Sequence, residues 1–273
     1  MRSLVLTGFG INCEEEMSAA YQLLDTDTKI LYLNELFLGK YSIHDFDILN
    51  FPGGFSFGDD IGSGKVLVNK IKYKKLSNGK YFIDEIDKFI SDKKIILGVC
   101  NGFQVLAKMG ILPNVNGNYE QEVTLTNNDS GKFEDRWVKC KINESSKSPF
   151  LKNGQFPNNI IELPVRHGEG KLIIKNEQIK TKIIDQSFNW LSYANKNGIT
   201  TSEYPANPNG SELNCAGLIN LHGNVLGMMP HPEAFLSLYN HPNWGKLKRE
   251  NPNISEEGQG IKLFQNMIEH LNK

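Results

Sequence analysis

The stretch from Lys94 to Lys108, KIILGVCNGFQVLAK, constrains the fold more than any other part of the chain. Its apolar run from Ile95 to Leu97 is short enough for a buried parallel strand, and apolar residues then recur at helical spacing. Between them, Gly98-x-Cys100-x-Gly102 has the spacing of a nucleophile elbow, with cysteine in place of serine. A strand that turns sharply into a helix leaves no room for side chains beside the central residue. The sequence therefore predicts a tight strand-to-helix turn with Cys100 at its apex.

At such an apex the Cys100 sulfur faces the N-terminus of the following helix. Unpaired amide groups and the helix dipole favour the thiolate there, which is the reactive form of cysteine. Cys100 is therefore a candidate nucleophile. The alternative is a buried, inert cysteine after a core strand, as most isolated cysteines are.

Composition argues against several classes of protein. The 273 residues carry 30 Lys and Arg against 31 Asp and Glu, whereas a nucleic-acid or membrane-surface protein would show a basic excess. No apolar run is long enough to span a bilayer, and Met1 to Leu6 leads into a strand-like run without a signal peptide. The four cysteines form no C-x-x-C pair, so neither a disulfide framework nor a metal site is expected. We expect a single cytoplasmic domain over residues 1–273.

The first fifth of the chain has the pattern of a doubly wound α/β sheet. Strand-like runs at 3–6, 29–33 and 47–51 are combined with a helical pattern over 13–24. The apolar side of that helix is predicted to include Met17, Ala20, Leu23 and Leu24. Ligands of such sheets bind beyond the carboxyl ends of the strands, where this interpretation places both Cys100 and the turn after residue 51.

That turn opens a glycine-rich segment, residues 53–64, which lacks the ending of a phosphate-binding P-loop. We interpret Gly53 and Gly54 as backbone amide donors beside the nucleophile. With the amide of Asn101 they would form an oxyanion hole. A plain flexible loop is the alternative.

Strand-like or helical patterns continue along the rest of the chain. The predicted strands are 123–126, 137–142, 160–165, 172–174, 215–220 and 225–229, and the predicted helices are 81–92 and 258–272.

Two histidines follow predicted strands. His231 lies in the segment Pro230-His231-Pro232-Glu233, whose prolines fix the backbone on both sides of the imidazole. Glu233 is close enough to accept a hydrogen bond from one ring nitrogen, which leaves the other nitrogen for the sulfur.

His167 is open to three interpretations: a base, a substrate contact or a loop residue. We favour substrate contact, since His231 is better placed as the base. Nucleophile, oxyanion donors, base and orienting carboxylate together predict acyl transfer through a thioester.

Three segments resemble the triad-type (class I) glutamine amidotransferases: GVCNGFQ at 98–104, PGGFSFGD at 52–59 and MPHPE at 229–233. Within that class the chain resembles the glutaminase subunits of phosphoribosylformylglycinamidine synthase, an enzyme of purine biosynthesis. Further matches to this narrower family are GINCE at 10–14, SGKFEDRW at 130–137, HGEG at 167–170 and NPNGS at 207–211. The resemblance covers nearly the whole chain.

The resemblance implies a flavodoxin-like three-layer α/β sandwich with a central, mostly parallel sheet. It implies Cys100 as nucleophile, His231 as base and Glu233 as the residue that orients the base. Glutamine would be the substrate, hydrolysed to glutamate and ammonia through a thioester on Cys100. The residues expected to bind it are Gln104 and the backbone near Gly53, Gly54, His167 and Gly168.

The resemblance also implies partners. Ammonia would pass to a separate ATP-dependent synthetase subunit, which makes formylglycinamidine ribonucleotide, and a small accessory subunit is expected in the complex. ATP and Mg would be bound by the synthetase, with no cofactor or metal on this chain. Neither nucleic acid nor membrane is an expected partner.

The chain departs from the family pattern at three places. Ala234 and Phe235 follow Glu233, where the family often has arginine; such an arginine would contact the partner or a neighbouring loop. Phe57 replaces a frequent tyrosine, and Asn114 replaces a common glycine at a position where asparagine tolerates left-handed geometry.

Two other functions remain open. A related hydrolase on the same sheet, such as a peptidase or γ-glutamyl hydrolase, is disfavoured by Gln104 and by the match to the narrower family. A non-catalytic regulatory scaffold is disfavoured because Cys100, His231 and Glu233 are all intact.

Overall fold

The computed structural model of the protein describes residues 1–146, 148 and 156–272. Its strands are β1 (Arg2–Thr7), β2 (Asp27–Tyr32), β3 (Ile48–Phe51), β4 (Ile95–Val99), β5 (Val123–Thr126), β6 (Glu134–Ile142), β7 (Ile160–His167), β8 (Lys171–Ile174), β9 (Asn189–Ala194), β10 (Cys215–Ile219) and β11 (Val225–Met228). Its α-helices are α1 (Glu14–Gln22), α2 (Leu33–Phe37), α3 (Lys65–Tyr73), α4 (Phe82–Ser91), α5 (Asn101–Met109), α6 (Glu177–Asp185), α7 (Trp244–Glu250) and α8 (Ile261–Leu271). None of the helices described is long and apolar enough to cross a bilayer.

One large sheet organises the molecule, with strand order β2-β1-β3-β4-β11-β10-β9-β6-β7, while β5 and β8 pair separately. The strands from β2 to β11 in this order are parallel, and those from β11 to β7 are antiparallel to their neighbours. Helices α1 and α8 pack together, as do α3, α4 and α5. The predicted α/β sandwich is confirmed, and an antiparallel half extends its parallel half.

The four central strands of the sheet are completely buried. Every residue of β3, β4, β10 and β11 is buried. Strands covered on both faces need nearly continuous apolar sequence, which explains why runs such as Ile95–Leu97 are recognisable without alternation.

Helix α1 differs from its prediction. It ends at Gln22, and Leu23 is 62% exposed instead of lying on the buried side. The buried stripe is Met17, Ala20 and Tyr21, at the spacing i, i+3 and i+4. Tyr21 reaches the core because its hydroxyl donates a hydrogen bond to Asn50 Oδ1 at 2.7 Å.

Other predicted elements are present with shifted ends. Strand β6 begins at Glu134 instead of Trp137, and β7 continues through His167 because Glu134 pairs with His167 across the ladder. The sequence patterns above did not identify helices α2, α3, α6 and α7 or strand β9.

The predicted strand-to-helix turn is present between β4 and α5. A methyl group on Gly98 would lie 2.5 Å from Leu106 Cδ1, and one on Gly102 would overlap the main-chain oxygen of Phe51. Both glycines are therefore required for α5 to pack so closely against β3 and β4.

We predict that Gly102→Ala lowers the free energy of unfolding by about 3 kcal/mol or more, because the methyl group would overlap rigid backbone. Denaturant unfolding measures this. Gly245→Ala in α7 is the matched control, since a methyl there meets no atom within 4 Å. Equal stability of the two variants would contradict the steric role of Gly102.

Candidate active site

Three neighbouring strands carry the predicted catalytic groups at their carboxyl ends. Gly53 and Gly54 follow β3, Cys100 follows β4 and His231 follows β11. Strand β4 pairs in parallel with both β3 and β11, so the three ends meet at one edge of the sheet. This convergence is the arrangement that the doubly wound pattern predicts.

Cys100 has a strained backbone. Its φ is +52° and its ψ is −107°, a conformation that L-residues rarely adopt. The turn is held on both sides: Cys100 N donates to Met228 O at 2.8 Å, and Cys100 O accepts the first helical bond from Gln104 N at 3.1 Å. The side chain is buried, and its sulfur lies 3.5 Å from Arg166 O. Such strain at a buried thiol is typical of a functional residue.

His231 and Glu233 form a buried pair. His231 Nδ1 lies 2.6 Å from Glu233 Oε1, the predicted hydrogen bond, and both side chains are almost inaccessible. Burial opposes a charged imidazole, but the Glu233 carboxylate and the nearby Cys100 outweigh it, so the pKa of His231 is raised well above its usual range. The pair can therefore take up a proton from a neighbouring thiol.

Gly53 lies against this pair. A methyl group on Gly53 would be 2.7 Å from His231 Cε1 and 3.4 Å from Cys100 Cβ, so only glycine leaves room for the imidazole beside Cys100. Gly54 has a φ of +141°, and a methyl group on it would approach Gly10 O at 2.7 Å. The structure thus brings both glycines to the site, and their role as oxyanion donors stays a prediction.

Asn101 and Gly102 open helix α5, whose first amide groups have no carbonyl partner within the helix. The Asn101 amide is therefore available as a donor next to Cys100. The Asn101 side chain is used elsewhere, since its Oδ1 accepts a hydrogen bond from Ser56 N at 3.3 Å.

His167 is buried beside the site, as a neutral imidazole. Burial is the main reason that its pKa falls to about 3, and the nearby His231 lowers it further. Its Nδ1 lies 3.1 Å from Asn128 Oδ1, which also accepts from Gly170 N at 3.0 Å. Nδ1 is therefore the donor, and the buried Nε2 is an acceptor without a partner among the described residues. This environment suits a substrate contact better than a base.

Gln104 lies in the site but bonds within the protein. Its Oε1 accepts from Asn101 Nδ2 at 2.9 Å, and its Nε2 donates to Glu169 O at 2.5 Å. The side chain thereby fixes the turn of residues 167–170, which includes Gly168. Direct binding of a ligand by Gln104 stays a prediction.

A second set of bonds ties the same turn to the glycine-rich loop. Glu169 Oε2 accepts from Ser63 N at 3.2 Å and from Ser63 Oγ at 2.6 Å. Lys108 donates to both Ser63 O and Ser63 Oγ. Sequence reasoning missed these contacts because they join residues far apart in the chain.

Cys13 is the main site residue that the sequence did not identify. It precedes α1, and its amide donates to Gly53 O at 3.3 Å. Its sulfur would lie 3.1 Å from a methyl group on Gly53, on the same side as His231 Cε1. The available signal was its place in the loop after β1, at the same edge of the sheet.

Comparison with known proteins shows which family the chain resembles. A model of the CobB/CobQ-like glutamine amidotransferase domain matches residues 1–271. The protein named phosphoribosylformylglycinamidine synthase subunit PurQ from Dehalococcoides mccartyi is 37% identical, over 98% of this chain and 96% of its own length. The protein of the same name from Methanococcus maripaludis is 36% identical, over 99% and 97%. In the solved structure of PurLQS from Thermotoga maritima, one chain is 26% identical, with a TM-score of 0.69 over 99% of this chain and 98% of that one.

We predict that Glu233→Gln lowers the pKa of His231 to its ordinary value of about 6.5 or below, because burial is then no longer offset by a carboxylate. NMR titration of imidazole-labelled protein measures it, with His231→Gln assigning the signal. Glu15→Gln, an exposed change in α1, is the control. An unchanged pKa in Glu233→Gln would show that the carboxylate does not set the charge of His231.

Proposed function

The chain belongs to the CobB/CobQ-like glutamine amidotransferase family, and we propose that it is the glutaminase subunit of a phosphoribosylformylglycinamidine synthase. The observation that carries the proposal is the buried His231–Glu233 pair beside Cys100 at a strained strand-to-helix turn. Relatives that bear this name align with nearly the whole chain.

In the first half of the reaction, the Cys100 thiol gives its proton to His231 Nε2, and the sulfur attacks the carboxamide carbon of glutamine. The oxyanion of the tetrahedral intermediate faces the amides of Asn101 and Gly54. His231 then returns the proton to the leaving nitrogen, the carbon–nitrogen bond breaks, and ammonia leaves a thioester on Cys100.

In the second half, water attacks the thioester. His231 removes a proton from the water, the carbon–sulfur bond breaks, and Cys100 recovers its proton as glutamate leaves. Glu233 accepts a hydrogen bond from Nδ1 throughout, which holds the imidazole in one tautomer and stabilises its charged form.

Glutamine binding uses the turn of residues 167–170. The unpaired Nε2 of neutral His167 accepts a hydrogen bond from the substrate, and the backbone near Gly53 and Gly168 provides further contacts. Gln104 holds this turn through Glu169 O, so its contribution is to position the substrate contacts.

The ammonia passes to a synthetase subunit that binds ATP and Mg and forms the amidine. Two findings support such a partner: the relatives are named as subunits of the synthase, and the similar solved chain comes from a structure of PurLQS. We also propose a small accessory subunit in the complex. An apolar rim suits the synthetase contact: Phe55 and Phe133 are 44% and 53% exposed, and we include in it Ile61, which is 79% exposed and lies in the same glycine-rich loop as Phe55. Phe55 and Phe133 meet beside the site, with ring centroids 6.3 Å apart.

We predict that Cys100→Ala reduces glutamate release by roughly 10⁴-fold or more, because loss of the nucleophile removes the thioester route.

In the wild type, a chloroketone analogue of glutamine should form a single adduct on Cys100, and added glutamine should prevent this labelling. Peptide mapping detects the adduct. Cys140→Ala, a buried cysteine on β6, should label normally. Unprotected labelling spread over Cys13, Cys140 and Cys215 would contradict the assignment and favour a regulatory scaffold.

We also predict that Ile61→Glu weakens binding to the synthetase subunit at least about tenfold, because it places a charge in the apolar rim. Titration calorimetry with the purified synthetase subunit measures this. Ile184→Glu, at an isoleucine of α6 that is also exposed, is the matched control. If both variants bind as the wild type does, the rim is not the contact.

A further inference from the structure

A lysine, a serine and a glutamate join three segments around Cys100. Lys108 lies in the last turn of α5, Ser63 lies near the end of the glycine-rich loop, and Glu169 lies in the turn of residues 167–170. We propose that these three residues, which we call the clamp, are positioning residues that hold the glutamine contacts against helix α5. The inference rests on the proposed glutaminase function and adds to it a set of residues that act on binding.

The Ser63 hydroxyl is the centre of the clamp. It donates a hydrogen bond to Glu169 Oε2 at 2.6 Å and accepts one from Lys108 Nζ at 3.2 Å. Ser63 N donates to the same carboxylate oxygen at 3.2 Å, and Ser63 O accepts from Lys108 Nζ. Ser63 is completely buried, and its three polar groups are all bonded within the protein. Because each of these bonds has a charged partner, its loss is more costly than the loss of a neutral hydrogen bond.

Helix α5 holds the turn of residues 167–170 at two levels. Gln104 Nε2 bonds to Glu169 O, and Lys108, one helical turn further on, reaches the Glu169 carboxylate through Ser63. The same helix begins directly after Cys100. The nucleophile and the turn that carries His167 are therefore attached to one helix, which suits a substrate that must be held in fixed geometry between them.

The clamp also balances charge beside the site. Burial raises the pKa of Asp59, and the nearby Glu169 carboxylate raises it further. Lys108 is close enough to be attracted to both carboxylates. Asp59 Oδ1 in turn accepts a hydrogen bond from Asn101 Nδ2 at 3.3 Å, next to Cys100. Removal of the Lys108 charge would therefore increase the repulsion between two carboxylates near the nucleophile.

The loop before Ser63 has a backbone that requires support. Its residues Phe57, Asp59 and Ile61 have φ between +54° and +57°, a left-handed conformation that non-glycine residues disfavour, β-branched ones most of all. Such a conformation persists only where surrounding contacts hold it. The bonds of Ser63 to Lys108 and Glu169 hold the end of this loop, whose beginning, at Gly53, lies against His231.

The test compares two reagents that alkylate Cys100 in the full chain. A chloroketone analogue of glutamine uses the substrate contacts before it reacts, whereas iodoacetamide does not. In Lys108→Met and in Ser63→Ala, we expect the half-saturating concentration of the analogue to rise at least about tenfold, the effect of losing one charge-assisted hydrogen bond. The rate at which iodoacetamide labels Cys100, followed by peptide mapping, should stay as in the wild type.

Lys182→Met is the matched control. Lys182 also lies in the last turn of its helix and also bonds to a distant residue, Asn116, so this variant should saturate as the wild type does. A double variant, Lys108→Met with Ser63→Ala, tests whether the clamp acts as one unit. We expect it to saturate at the same concentration as the weaker-binding single variant, because both changes remove the same support.

Three results would overturn the proposal: an unchanged half-saturating concentration in either folded single variant, additive effects in the double variant, or an equal loss of reactivity towards both reagents. If Lys108→Met does not fold, Glu169→Gln takes its place, since it keeps the shape of the side chain and removes its charge. A wild-type protein that iodoacetamide labels on Cys100 but the analogue does not would instead contradict the proposed function. Failure of the clamp and failure of the proposed function are therefore distinguishable.

Discussion

The contact between Gly102 and the Phe51 carbonyl is the constraint on which the rest of the site depends. It lets helix α5 start directly at the end of β4, so that the strained Cys100 projects between the ends of β3 and β11. Because β4 is paired with both of those strands, a small displacement of α5 would move Cys100 relative to both Gly53 and His231. The position of the Cys100 sulfur therefore depends on the absence of side chains at Gly98 and Gly102.

Two histidines in the same site have opposite electrostatic environments. The carboxylate of Glu233 holds His231 ready to carry a proton, whereas burial without a carboxylate keeps His167 neutral. Environments that push the pKa values of neighbouring groups apart allow one fold to assign separate roles to chemically identical side chains. Among the groups that raise the pKa of His231, Glu233 has the largest effect, and it lies two positions after His231.

Features formed by residues close together in the sequence were predicted, whereas contacts between distant segments were not. The turn at Cys100 and the His231–Glu233 pair are encoded within a few residues, so spacing alone predicted them, as it predicted the α/β class. Cys13 and the Ser63–Glu169 bonds were missed because only the folded sheet brings their segments together. The burial of Leu23 was predicted wrongly, because helix α1 ends at Gln22 and buries Tyr21 instead. The sequence also does not reveal that the side-chain amide of Gln104 forms hydrogen bonds with Asn101 and with the main chain of Glu169.

The bonds between Ser63 and Glu169 have a mechanical consequence. Ser63 ends the loop that carries the exposed Ile61, and Glu169 belongs to the turn that carries His167. The two hydrogen bonds therefore form a direct link between the surface of the glycine-rich loop and the turn beside the active site. This link runs through the Glu169 side chain and does not involve the strands of the sheet.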